Sequence, residues 1–111
     1  MATNLVLTLL GQGDCLAARP VAEDTLERRR RLLGADHPHT LATATKLALA
    51  LNGLGDYQAA RPLAEDTLER QRRVQGADHT DTLATANSLV AALTGLGEHR
   101  AARRLAKASK A

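Results

Sequence analysis

The residues of this sequence best suited to chemistry lie in the segment Asp36-His37-Pro38-His39. A carboxylate and two imidazoles two residues apart could ligate zinc. A closed zinc site needs about four ligands, and the matching segment further along the chain offers only Asp78, His79 and Asp81. In a simpler interpretation, the aspartate of each segment caps the following helix, with Pro38 in the first turn. We therefore expect neither a bound metal nor a cofactor.

Support for catalytic chemistry is weaker still. Cys15 is the only cysteine. A nucleophilic cysteine needs a base within hydrogen-bond reach, and the sequence does not show that His37 or His39 lies that close. The sequence has no metalloprotease, hydrolase-elbow or dinucleotide-binding motif. We interpret Cys15 as a small apolar residue in the position that Tyr57 occupies in the next copy of a repeat, and we expect no enzymatic activity.

The composition argues against nucleic acid as the main partner. One tyrosine is the only aromatic side chain among 111 residues, which excludes stacking platforms for bases. The net charge is +3, and the positive excess lies in residues 99–111, which hold five basic side chains and no acidic one. The rest of the chain has a net negative charge. In the run Arg28–Arg31, the first arginine lies four residues after Asp24 and the last lies four residues after Glu27. This spacing is typical of a solvated, charged helix face. A basic site for nucleic acid is the less favoured interpretation.

Cysteine usage and the first residues indicate the compartment. A single cysteine cannot form an internal disulfide, so the fold does not depend on an oxidising compartment. Residues 1–14 include an apolar stretch, but it has no basic region before it and is too short to span a bilayer. We expect a cytoplasmic protein that does not associate with membranes.

An internal repeat decides the fold class. The segment ARPVAEDTLERRRRLLGADHPHTLAT recurs as ARPLAEDTLERQRRVQGADHTDTLAT, 42 positions on. A third copy stops early, so the chain holds about 2.6 periods. We expect a single domain with a partial first repeat at 1–39, a second repeat at 40–81 and a partial third repeat at 82–111.

Each period contains two helices. Apolar residues recur at spacings of three and four from Thr40 to Leu54, which predicts an amphipathic helix. Gly55 follows as a left-handed helix end, and Asp56 can cap a second helix with Pro62 inside it. No segment alternates with period two. The sequence therefore predicts an all-α fold, an α-solenoid of stacked antiparallel helix hairpins.

The segment LALALNGLGDYQAARPLAEDTL resembles a tetratricopeptide repeat. The framework positions of that repeat are occupied by Leu47, Ala48, Leu51, Gly55, Tyr57, Ala60 and Leu68. The 42-residue period, the DHP connection and the proline in the second helix are similar to the kinesin light chain type. The resemblance implies a right-handed superhelix that binds proteins in a concave groove. It also implies paired asparagines that clamp a peptide, of which this sequence has Asn4 and Asn87.

A groove that binds a peptide or a partner helix is the function we predict. We expect its contact surface to comprise Leu7, Leu10, Thr45, Leu49, Asn52, Asn87 and Thr94. An equally supported alternative is that the leucines pack internally or against another copy of the chain.

Two further hypotheses remain open. Incompletely capped ends favour a structural or engineered array that self-associates into a dimer or a larger species. The acid-free final segment favours a binder of nucleic acid or acidic partners. The identity of the partner does not follow from the sequence.

Overall fold

The computed structural model describes residues 14–110 and the side chains of residues 14–108. This part of the chain consists of five α-helices and contains no strand, which confirms the predicted all-α class. The helices are α1 (Cys15–Leu33), α2 (Pro38–Gly53), α3 (Tyr57–Val74), α4 (Thr80–Gly95) and α5 (His99–Lys110).

The helices stack as two layers. Each helix contacts the next along the chain, and α2 also contacts α4. The helices α2 and α4 therefore lie side by side in an inner layer, while α1, α3 and α5 form an outer layer. This is the predicted stack of helix hairpins, and it places every second helix in the same environment.

Two kinds of residue begin the helices. Asp56 caps α3 as predicted, and Asp14 caps α1 in the same way, since their carboxylates accept hydrogen bonds from the backbone amides three residues on, at 3.3 and 3.0 Å. The predicted caps of α2 and α4, Asp36 and Asp78, were wrong. The caps are His37 and His79, whose Nδ1 atoms each accept a backbone hydrogen bond of 3.1 Å.

The imidazoles cap these helices because Nδ1 lies within reach of the free amide two residues on. Asp36 is thereby available to other partners. Pro38 occupies the first turn of α2, as predicted, where its missing amide hydrogen leaves no bond unmade.

Glycines in left-handed conformation turn the chain between the helices of a hairpin. Gly55 has φ of 78° and Gly97 has φ of 82°, which confirms the predicted helix ends. In each turn the next residue reaches back to the helix. The amide of Asp56 donates to the carbonyl of Leu51 at 2.9 Å, and that of Glu98 donates to Leu93 at 2.8 Å.

The core is built from alanine, leucine and threonine at repeated positions. Ala22 and Ala64 are fully buried, and Leu26 and Leu68 are each 4 % exposed. The alanines allow the helices to approach closely, and the buried side chains form two hydrophobic clusters that both contact the partly buried Leu63.

The first residue of each outer helix packs against the last residue of the following inner helix. A methyl group at Gly95 would lie 2.5 Å from the ring of Tyr57, and a methyl group at Gly53 would overlap the sulfur of Cys15. Cys15 therefore occupies the same position as Tyr57, which confirms its interpretation as a packing residue.

Candidate protein-interaction surface

The solvent side of the inner layer presents a row of side chains that we call the inner stripe. These residues are spaced by three or four along α2 and by seven along α4, and they are exposed or half-buried. They are His39, Ala42, Lys46 and Leu49 of α2, with Ala84 and Ala91 of α4. Leu49 is 40 % exposed, whereas Leu47 and Leu51 of the same helix are 7 % and 4 % exposed. Leu49, a predicted groove residue, is thus the large apolar side chain of this stripe.

Thr45 lies elsewhere than the sequence indicated. It is 5 % exposed, and its hydroxyl donates to the carbonyl of Leu41 at 3.1 Å. The hydroxyl oxygens of Thr45 and Thr85 are 2.7 Å apart. The side chain is therefore used in the contact between α2 and α4. Thr45 was predicted to be an open groove residue because helical spacing does not show which face the next inner helix covers.

Asn52 also joins the two inner helices. Its amide nitrogen donates to the backbone carbonyl of Ser88 at 2.9 Å, and the residue is partly buried. Its side-chain oxygen is buried without a hydrogen-bond partner among the described residues. The donor of this amide is thus engaged inside the fold rather than directed at a bound peptide.

Asn87 and Thr94 are exposed on α4. They stand one period after Thr45 and Asn52, whose side chains α4 covers. Among the described helices none lies beyond α4 on that side. We call this side of α4 and α5 the open face, and its residues are Asn87, Val90 and Thr94 of α4 with Arg103 of α5.

The structure therefore separates the predicted contact residues into three groups. Leu49 belongs to the inner stripe, Thr45 and Asn52 lie between the inner helices, and Asn87 and Thr94 belong to the open face. Leu7 and Leu10 lie outside the described residues. Sequence reasoning left Lys46 out of the contact set, although its position one turn before Leu49 could have placed it on the same face.

Charged side chains tie consecutive hairpins together on the outer layer. Asp36, in the connection between α1 and α2, accepts hydrogen bonds from Arg70 at 2.9 Å and from Arg73 at 3.3 Å. These two guanidinium groups hold the pKa of Asp36 below its usual range. Asp36 and Asp66 in turn raise the pKa of Arg70. This cluster was not predicted because Asp36 is more than 30 positions from both arginines along the chain.

The arginine run Arg28–Arg31 is engaged with the rest of the protein in part. Arg28 forms the expected pair with Asp24 at 3.3 Å on the exposed surface. Arg29 donates to the backbone carbonyl of His39 and to the hydroxyl of Thr43, both at 3.1 Å. These contacts agree with a charged helix face that also braces α2.

The remaining candidate features are a basic helix face and a histidine pair. Arg100, Arg103, Arg104 and Lys107 are exposed along α5. The rings of His37 and His39 stack with their centroids 5.2 Å apart. Within residues 14–108, no three metal-binding side chains come together, and no described helix is long and apolar enough to cross a membrane.

The two-layered stack of hairpins, with an exposed stripe along its inner helices, defines an α-solenoid repeat protein. The family model described as tetratricopeptide repeat matches residues 1–71 and residues 41–111. The chain therefore belongs to the tetratricopeptide repeat family. No curated protein shows significant sequence similarity to it. The kinesin light chain type of repeat stays a prediction.

Proposed function

We propose that this protein is a non-catalytic interaction module that binds a segment of another protein along the inner stripe. Tetratricopeptide repeats generally act as scaffolds for protein–protein interaction. The observation that carries the proposal is the exposure of Leu49 on a helix whose other leucines are buried. The protein has one cysteine, so its fold needs no internal disulfide, which agrees with action in the cytoplasm.

The neighbours of Leu49 indicate what kind of segment would fit. Ala84 and Ala91 are the stripe residues of α4, which packs against α2, and their small side chains leave room along the stripe for a bulky apolar side chain. Burying a leucine side chain contributes about 1.5–3 kcal/mol. Lys46, one turn before Leu49, provides a cation for a carboxylate of the bound segment. We therefore propose a partner segment that combines an apolar residue with an acidic one.

A displayed library of random peptides tests this proposal. The library is selected against the intact chain, and binding of the selected peptides is measured by fluorescence polarisation. Leu49→Glu places a charge in the proposed contact, and we expect it to weaken binding by about tenfold or more. Leu32→Glu is the matched control, since Leu32 is 81 % exposed on the outer helix α1.

Selected peptides should also show an acidic residue near an apolar one, and Lys46→Glu should reverse that preference. Failure to select any peptide would contradict the proposal, as would peptides whose affinity is equally changed by the two leucine substitutions. Circular dichroism shows whether each variant retains its helices.

A second candidate function is self-association through the open face. Asn87 and Thr94 are exposed, whereas the residues one period earlier are covered by the next inner helix. Val90 is partly exposed, whereas its counterpart Ala48 is fully buried. Light scattering across a dilution series, with reductant to exclude a Cys15 disulfide, should show a mass above that of the monomer at high concentration. A monomer at every concentration would exclude this function.

A further inference from the structure

Two ion pairs in the outer layer repeat with the period of the chain. Arg19 of α1 lies 3.4 Å from a carboxylate oxygen of Asp56, which caps α3. One period later, Arg61 of α3 pairs with Glu98, which directly precedes α5. Each pair joins one outer helix to the start of the next, and we call each of them a rung.

The rung residue Asp56 has two roles at once. Its Oδ1 accepts the hydrogen bond that caps α3, while its Oδ2 faces Arg19. Asp14 stands one period earlier and caps α1 in the same way, through Oδ1 at 3.0 Å. Among the described residues no arginine pairs with its second oxygen. Asp14 thus stands at the position that the acidic residue has in each rung.

Arg103 stands at the position that the basic residue has in each rung. It stands one period after Arg61 on the exposed surface of α5. Arg19 and Arg61 each have a glutamate four residues on, at 3.6 Å, but Arg103 has Lys107 at that position. Among the described residues no carboxylate lies within ion-pair distance of Arg103.

The open face beside Arg103 also exposes side chains that the repeat buries elsewhere. Ala106 is partly exposed, although Ala22 and Ala64 at the same position are fully buried. Val90 is similarly more exposed than its counterpart in α2. The face therefore presents the apolar surface that would receive a further hairpin, next to a cation that would receive its acidic cap.

The chain itself carries a hairpin sequence of that kind. Residues 2–13 repeat the inner-helix sequence 44–55 at most positions, and Asp14 follows them at the position of Asp56. If a hairpin continues the stack beyond α5 in the register of the two rungs, its cap residue lies opposite Arg103.

We propose that a second copy of this chain docks head to tail on the open face, with Arg103 of one copy paired to Asp14 of the other. The proposal rests on the second candidate function above and specifies the surface and pairing. Charge complementarity selects the second copy, because the open face offers the cation and the start of α1 offers the matching carboxylate. A heterologous contact of this kind extends into a chain of copies and leaves the inner stripe open.

Charge reversal at the rung tests the proposal. Arg103→Glu sets a second carboxylate against Asp14 of the next copy, and we expect it to weaken self-association by about tenfold or more, as judged by light scattering in reductant. Arg104→Glu is the matched control, because it makes the same charge change one residue away, where the earlier repeats have proline. Asp14→Lys should weaken association equally. Equimolar Arg103→Glu and Asp14→Lys chains should associate again, because each end then meets an opposite charge.

The outcomes separate this proposal from the one on which it depends. If the natural chain is monomeric at every concentration, self-association and the rung both fail. If it associates but Arg103→Glu and Arg104→Glu behave alike, self-association stands and the rung is wrong. The pairing is also wrong if Asp14→Lys abolishes association and the equimolar mixture with Arg103→Glu does not restore it. Circular dichroism and a urea titration show that each variant is folded, with Asp14→Asn as a substitution that keeps a capping side chain.

Discussion

Asp36 and Arg70 lie 34 positions apart, yet the carboxylate of the first accepts a hydrogen bond of 2.9 Å from the guanidinium of the second. Arg73 approaches the same carboxylate, and Asp66 approaches Arg70 from within α3. The cluster fixes the connection between α1 and α2 against the outer helix of the next hairpin. Because His37 caps α2, the carboxylate of Asp36 is free to make this tie.

Removing the charge of Asp36 should destabilise the protein measurably. Asp36→Asn keeps the shape of the side chain but loses the charge-assisted bonds to Arg70 and Arg73. We expect a lower urea midpoint of unfolding, by an amount typical of partly exposed ion pairs. Asp78→Asn is the matched control, because Asp78 has the same place in the repeat and no arginine paired with it among the described residues. Equal effects of the two substitutions would contradict the role of the cluster.

The contribution of Asp36 should depend on pH in a defined direction. The two arginines lower the pKa of Asp36 in the folded protein, so folding favours its ionised form. Its contribution is therefore complete above the unfolded pKa of about 3.9 and is lost as the pH falls through the lower, folded pKa. Urea unfolding of the natural chain and of Asp36→Asn should differ by a constant amount above about pH 5, and the difference should shrink as the pH falls below about pH 4 towards the folded pKa. A difference that grows on acidification would contradict this assignment.

Most of the fold could be predicted from the sequence because its determinants are local and repeated. The apolar spacing from Thr40 to Leu54, the left-handed Gly55 and the cap Asp56 all act within a few residues. Their recurrence with one period then implies stacking, since a single hairpin cannot bury its apolar face alone.

The surface was harder to predict because exposure depends on the neighbouring hairpin. Thr45 and Asn87 have the same place in the repeat, but α4 covers only the first of them. The helical period identifies a face but does not show whether another helix lies on it. The cap at His37 was missed for a different reason, since aspartate is the commoner capping residue and the partners of Asp36 are distant in sequence.

The contact between Tyr57 and Gly95 should not tolerate a methyl group. In Gly95→Ala the new methyl would lie 2.5 Å from the ring, so the ring or the helix end must move. Overpacking of this kind costs about 1–3 kcal/mol, against a gain of about 0.5–1 kcal/mol for replacing glycine by alanine in a helix. We expect a net loss of about 1 kcal/mol in the free energy of unfolding, measured by urea titration.

A double-substitution cycle isolates this contact. In a Tyr57→Ala background the ring is absent, so Gly95→Ala should be neutral or stabilising there. The same loss in both backgrounds would show that the cost arises from the conformation of the helix end and not from the ring.

Gln71 is fully buried, and neither its amide nitrogen nor its amide oxygen has a hydrogen-bond partner among the described residues. Arg29 stands at the same position of the preceding repeat, where its longer side chain reaches the carbonyl of His39 and the hydroxyl of Thr43. The glutamine side chain is shorter. Thr85, the counterpart of Thr43, donates to the carbonyl of Asp81 as Thr43 does to that of His39, and its hydroxyl oxygen lies 2.7 Å from that of Thr45. A buried polar group without a partner costs about 1–3 kcal/mol.

The same substitution should therefore have opposite effects at these two positions. Gln71→Met keeps the volume and removes the unpaired amide, so we expect the free energy of unfolding to rise by about 1–2 kcal/mol. Arg29→Met removes two hydrogen bonds and should lower it by about 0.5–1.5 kcal/mol for each bond. Urea titrations of both variants give the comparison. Destabilisation by Gln71→Met would contradict this account of a costly unpaired amide.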